Sequence, residues 1–119
     1  MYNWYAVNTG KLCPTGWHVP TDAECKTLLV AYVGAKLRES GTTHWLSPND
    51  GTNESGFTAL PGGYRNSDGF FSIGTVGIWW SSGVFDTTNG SDWYVRNFGD
   101  ASFEAEPKQN GLSVRCLKD

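Results

Sequence analysis

The stretch Thr21-Asp22-Ala23-Glu24-Cys25-Lys26-Thr27-Leu28-Leu29-Val30-Ala31-Tyr32-Val33-Gly34 carries the start signal and the periodicity of an amphipathic helix. Thr21 and Glu24 form a capping box, in which the hydroxyl accepts from the Glu24 backbone and the carboxylate reaches back to the cap. Pro20 precedes the cap. Cys25, Leu28, Leu29 and Tyr32 recur at i, i+3, i+4 and i+7, which predicts one buried stripe, and Gly34 is placed to end the helix. Cys25 therefore faces the core. Apolar surroundings raise a thiol's pKa and leave it inert, so Cys25 reads as a packing residue rather than a nucleophile. A shorter helical turn is predicted over Ala35 to Glu39.

Beyond Ser40 the pattern changes to short β-like pieces separated by Gly, Asn, Asp and Ser. Thr42 to Gly56 has almost no periodicity and many turn formers, which predicts a long surface loop. Strands are predicted at Phe57 to Leu60, Gly63 to Arg65, Gly69 to Ile73, Gly77 to Ser82, Asp92 to Phe98, Ser102 to Ala105 and Leu112 to Leu117. Asn66-Ser67-Asp68-Gly69 reads as a hairpin turn. In the last strand Leu112, Val114 and Cys116 point one way, while Ser113, Arg115 and Leu117 point the other. One early helix and a sheet-and-loop majority make an α+β fold. There is no internal repeat or linker, and the 119 residues fit a single domain, residues 1–119.

Composition narrows the function classes. A formal net charge of −3 with nine scattered Lys and Arg lacks the basic footprint that a phosphate backbone requires, so no nucleic-acid partner is expected. The longest apolar runs, Leu28 to Val33 and Ile78 to Trp80, fall far short of the ~20 residues that span a bilayer, so no membrane insertion is expected. Met1 is followed at once by polar and aromatic residues, unlike a signal peptide. Low charge and six Trp argue against disorder.

The three cysteines, Cys13, Cys25 and Cys116, fit no metal motif. A bond between Cys13 and Cys116 would close a loop of about a hundred residues, worth roughly 4 to 5 kcal/mol on the chain-entropy model, and would imply an oxidising compartment. Three buried, reduced thiols are the alternative at this point.

Five ordered segments carry a resemblance that spans nearly the whole chain: Tyr2-Asn3-Trp4-Tyr5-Ala6, Cys13 to Glu24, Gly56-Phe57-Thr58-Ala59-Leu60-Pro61-Gly62-Gly63-Tyr64-Arg65, Trp79-Trp80-Ser81-Ser82, and Leu112-Ser113-Val114-Arg115-Cys116. In order and spacing they resemble the Fibrobacter succinogenes major paralogous domain, a family of bacterial surface and lipoprotein modules. That family is similar to the C-type lectin fold in its formylglycine-generating-enzyme-like branch, whose first and last strands pair. The resemblance implies that Tyr2 to Val7 and Leu112 to Leu117 are neighbours, and it supports the Cys13–Cys116 bridge. The family usually follows Asp-Ala-Glu with Trp where this chain has Cys25, so a compensating substitution or a small cavity is expected there. Trp80-Ser81-Ser82, Trp93-Tyr94-Val95, Asn97-Phe98 and Val114-Arg115-Cys116 also resemble the variable proteins diversified by retroelements. That likeness implies a binding face built from Gly83 to Asp92 and Gly99 to Gly111.

The enzymatic relatives of that fold use a reactive cysteine pair or an iron-binding histidine cluster. His18 and His44 are the only histidines and lie far apart, so no enzyme is expected, the formylglycine-generating type being the third reading. His18, beside Trp17, reads as structural. His44 reads as a solvated side chain. Glycoside hydrolysis needs two carboxylates about 5 to 9 Å apart; Glu104 and Glu106 would share a strand face at roughly 7 Å, and with Asp86, Asp92 and Asp100 they read as solvated edge charges. No cofactor is expected. Asn49, Asp50, Asn53 and Glu54 are the calcium candidates, because a hard cation takes carboxylate, amide and carbonyl oxygens from a bent loop; a loop that is merely polar explains them too.

Successive strand side chains alternate faces, so Trp79, Trp80, Trp93 and Tyr94 cannot all point inward unless loops cover both faces. Exposed Trp and Tyr are favoured at binding hot spots. Trp4 and Trp17 read as core anchors. The expected ligand-binding set is Trp80, Phe85, Asp86, Asn89, Asp92, Trp93, Tyr94, Asn97, Phe103 and Glu104. The expectation is a non-enzymatic, monomeric recognition or adhesion module at the cell surface or outside it, with any signal or lipoprotein segment outside this sequence. Its ligand would be protein or glycan. A purely structural module of a larger surface lipoprotein is the alternative.

Overall fold

The computed structural model describes residues 1–119. Its elements are α1 (Trp4–Asn8), β1 (Trp17–His18), α2 (Asp22–Ala31), α3 (Gly34–Leu37), β2 (Tyr64–Asn66), β3 (Gly69–Phe71), β4 (Val76–Val84), β5 (Asn89–Arg96), β6 (Ser102–Pro107) and β7 (Leu117–Lys118). The architecture is α+β.

The capping box forms as its residues dictate. Thr21 Oγ1 accepts from the Glu24 backbone at 3.2 Å, and Glu24 Oε2 accepts from the Thr21 backbone at 2.9 Å, which satisfies two donors of the first turn. Cys25 is buried, and Leu28, Leu29 and Tyr32 pack half-buried against the same cluster. The helix ends earlier than expected, with extended Tyr32 as its C-cap. Gly34 instead starts α3 and lies against the 99–101 loop, where a Cβ would meet the Gly99 carbonyl at 2.7 Å.

β4, β5 and β6 form an antiparallel meander in that order. The register sets Trp79 opposite Trp93 and Trp93 opposite Phe103, and on the other face Trp80 opposite Asp92 and Asp92 opposite Glu104. Strand alternation therefore sorts two cores onto two faces. Cys25, Leu37, Trp45, Ala59, Trp79, Trp93 and Val95 make one; Trp4, Val7, Val19, Ile78, Trp80 and Leu112 make the other.

Several expectations are corrected. Tyr2 to Val7 is not a strand: Asn3 caps Ala6 at 3.0 Å and starts α1, leaving a single bridge from Tyr2 to Leu112. The N- and C-terminal segments are neighbours nonetheless, with β1 paired to β7 and Cys13 bonded to Cys116. Phe57 to Leu60 is not a strand either, since Thr58 has a φ of 55° and only Ala59 bridges, to Arg38. The 42–56 loop is more than surface: Trp45 is 1 % exposed and its indole N–H donates to the Ala59 carbonyl at 3.0 Å. Trp17 is 45 % exposed and is no core anchor.

Candidate binding surface

Both faces of the meander are covered, which decides the fate of the aromatic pairs. α1 lies on one face: the Trp4 indole sits over Gly90, where a Cβ would be 2.2 Å from Trp4 Cδ1. The Trp80 indole N–H donates to the Tyr2 carbonyl at 2.8 Å. α2 and Phe57 cover the other face, where Trp79 and Trp93 stack at 4.6 Å between ring centroids. Trp80 and Trp93 are thus interior residues, which corrects their expected role as surface anchors. Asn97 is buried too, its side-chain amide donating to the Leu46 carbonyl at 3.4 Å. Tyr94 is half-buried and donates its hydroxyl to Glu104 Oε1 at 3.2 Å.

Four of the expected residues do converge. Phe85, Asn89, Phe103 and Glu104 line a groove of about 590 Å³ whose opposite wall is Asp22 and Lys26 of α2. The β4–β5 turn presents Phe85, which is 64 % exposed. Asp86 holds that turn, accepting from the backbone N–H groups of Thr88 and Asn89, each at 2.8 Å. These bonds, that from Thr88 foremost, keep the Asp86 carboxyl below its ordinary range. Across the groove the Lys26 ammonium lies 5.5 Å from the Phe103 ring centroid, within cation–π range. Asp22 accepts from the Ser81 hydroxyl, which fixes the rim. The α2 residues of this wall escaped sequence reasoning, because only the tertiary fold brings them to the hairpin.

The acidic face departs from its reading as solvated edge charge. Asp92 is fully buried and neither of its oxygens has a partner. Burial pushes its pKa up to about 8, with Glu106 and then Glu104 adding repulsion. Glu106 is half-buried and raised by the same burial, opposed by a 3.0 Å hydrogen bond from Asn110.

Two of the calcium candidates, Asn49 and Asp50, hold a cation that belongs to the chain. Arg38 is fully buried; its Nε donates to Asn49 Oδ1 at 3.1 Å, its Nη1 to the Gly99 carbonyl at 3.0 Å, and its Nη2 pairs with Asp50. Asn53 bonds Thr58, and Glu54 lies 3.5 Å from Lys36. No three His, Cys, Asp or Glu side chains are grouped to hold a metal ion. The histidines have carboxylate partners: His18 bridges Asp119 at 2.6 Å and Glu24 at 2.9 Å, which raises its pKa, and His44 lies 2.8 Å from Glu39.

A second concavity, of about 350 Å³, opens beside Cys25, where the resemblance implied either a compensating substitution or a small cavity. Leu28, Phe57, Trp79 and Trp93 line it with Cys25, and Arg115 stands among its lining residues. Phe57 meets Trp79 and Trp93 edge-on at 5.7 and 5.4 Å. The Arg115 guanidinium lies 4.1 Å from the Phe57 centroid and donates to the Phe57 carbonyl. Cys25 is the one free cysteine, and burial pushes its thiol up to about 12.

No helix is long and apolar enough to cross a membrane. Comparison with curated proteins and with solved structures returned no match. The Fibrobacter succinogenes major domain matches residues 1–118, which takes in all five motifs from Tyr2 to Cys116, and the chain belongs to that family.

Proposed function

We propose that this domain is a non-enzymatic recognition module of the bacterial cell surface or exterior, with a C-type-lectin-like fold, that binds a glycan in the groove between α2 and the β4–β5 hairpin. The observation that carries this reading is the convergence of Phe85, Asn89, Phe103 and Glu104 with Asp22 and Lys26 around one shallow concavity. Two aromatic rings offer stacking faces, and the carboxylates, amide and ammonium offer the hydrogen bonds that orient a polyhydroxylated ligand. The fold assignment draws support from the juxtaposed chain ends and from one main helix packed against an antiparallel meander. The Cys13–Cys116 bond fits an oxidising compartment. The groove takes residues from the segments that, in the similar retroelement-diversified proteins, vary between constant anchors. A template repeat and a reverse transcriptase gene near the locus would extend the proposal to diversified recognition.

A glycan array, with and without calcium, tests the reading. Binding is expected, and Phe85→Ala and Phe103→Ala are expected to weaken it at least about tenfold while the fold is retained. Binding that survives both substitutions, or no binding to any glycan in either condition, overturns it.

A further inference from the structure

The cavity beside Cys25 is separate from the groove and independent of the reading given to it. We propose that this cavity is a binding site for a small aromatic carboxylate of one or two rings. Its volume of about 350 Å³ exceeds the ~150 Å³ at which an engineered apolar cavity takes up benzene and reaches the lower end of natural ligand pockets.

The interior is apolar and largely aromatic. The Trp79 and Trp93 indoles, the Phe57 ring and the Leu28 side chain offer both stacking and edge contacts to a flat ligand. Cys25 adds a thiol that stays protonated and neutral at physiological pH. No charged group of the chain is needed to fill this interior, and the two charged residues in the lining are Arg115 and Glu24.

Those two charges differ in how far they are already used. Glu24 is engaged twice, by the Thr21 backbone N–H at 2.9 Å and by the His18 ring at 2.9 Å. Arg115 is exposed, makes no ion pair and spends one N–H on the Phe57 carbonyl. A guanidinium carries five donors in a planar fork, so most of its fork is open to a bidentate carboxylate. Stacking on Phe57 orients the guanidinium beside the ring that forms the cavity wall. A neutral hydrocarbon would use the interior and leave this cation idle; an aromatic carboxylate uses both.

Calorimetric titration of the oxidised protein with indole-3-acetate, and with uncharged indole as the second probe, tests the proposal. One equivalent of indole-3-acetate is expected to bind, with indole about tenfold weaker, the step set by one charge-assisted contact at an exposed rim. Arg115→Gln should bring the affinity for indole-3-acetate down to that of indole and leave indole unchanged. Cys25→Trp should fill the cavity and abolish binding of both probes. Should Cys25→Trp fail to fold, as judged by circular dichroism, Leu28→Trp serves the same purpose. Absence of binding at millimolar probe, equal affinity for the two probes, or undiminished binding in a folded cavity-filling variant overturns the proposal.

Discussion

Asp92 stands directly across the β5–β6 pair from Glu104, wholly buried and with neither carboxylate oxygen bonded. A carboxylate desolvated without a partner is the costly case, and the group responds by holding its proton. Glu106, two residues along the same strand face, is raised by burial as well. The face beneath α1 therefore trades stability against pH.

With the Asp92 pKa at about 8 against 3.8 in the ordinary state, the folded chain holds a proton that the unfolded chain has released between those values. Stability then falls as pH rises through that window, by up to ~1.4 kcal/mol per unit, and levels off above it. Asp92→Asn removes this contribution. Thermal melts should show the variant gaining on the parent from pH 4 to pH 8, by about 1–3 kcal/mol at the upper end once local relaxation is allowed for. A difference that does not grow with pH would show that Asp92 is ionised in the folded state.

The Cys13–Cys116 bond spans 103 residues, so its loss should cost ~4–5 kcal/mol through the unfolded chain's regained freedom. Denaturant titration with and without reductant measures this. Alkylation without reductant should label Cys25 alone after denaturation and scarcely at all in the native state, because its thiol is buried with a pKa of about 12. Three labelled thiols in the unreduced, denatured chain would refute the bridge.

The parts of the fold that were legible are those set by neighbours in the chain. The capping box of Thr21 and Glu24, the stripe through Cys25 and the Asn66–Gly69 hairpin are short-range patterns, and each forms. The cores of the three long strands were also legible, with their ends displaced by at most three residues. What failed was set at long range. The burial of Trp80 depends on Tyr2, 78 residues away, and a groove wall made of Asp22 and Lys26 leaves no trace near Phe85. α1 had a readable signal, Asn3 as an N-cap, but the resemblance favoured a strand there. Arg38 hid the nature of the calcium loop, because nothing in its own neighbourhood marks it as buried.

Gly90 shows how closely α1 is seated. An added Cβ would lie 2.2 Å from Trp4 Cδ1 and 2.7 Å from Cγ, and the ring cannot withdraw without loosening its N–H bond to the Gly83 carbonyl, 3.2 Å long. Gly90→Ala should cost about 1–3 kcal/mol, as overpacking does, with a change in Trp fluorescence as α1 shifts. An unchanged midpoint and spectrum would mean that α1 is loosely held.

The last prediction concerns the loop that offers calcium ligands. Oxygen atoms of Asn49, Asp50 and Gly99 already receive the Arg38 guanidinium. A second cation there would meet the positive charge of the buried Arg38 guanidinium, which those oxygens already balance. Melting temperature should therefore be the same in millimolar calcium and in chelator. Arg38→Met should destabilise the chain by ~2–4 kcal/mol, since it removes the hydrogen bonds that a fully buried guanidinium gives to Asn49, Gly99 and Asp50. Asp50→Asn should cost under about 1 kcal/mol, because the Asp50 side chain is 73 % exposed and the other acceptors still hold the guanidinium. A calcium-dependent rise in the parent's melting temperature that Asp50→Asn abolishes would reverse this assignment and make the loop a metal site.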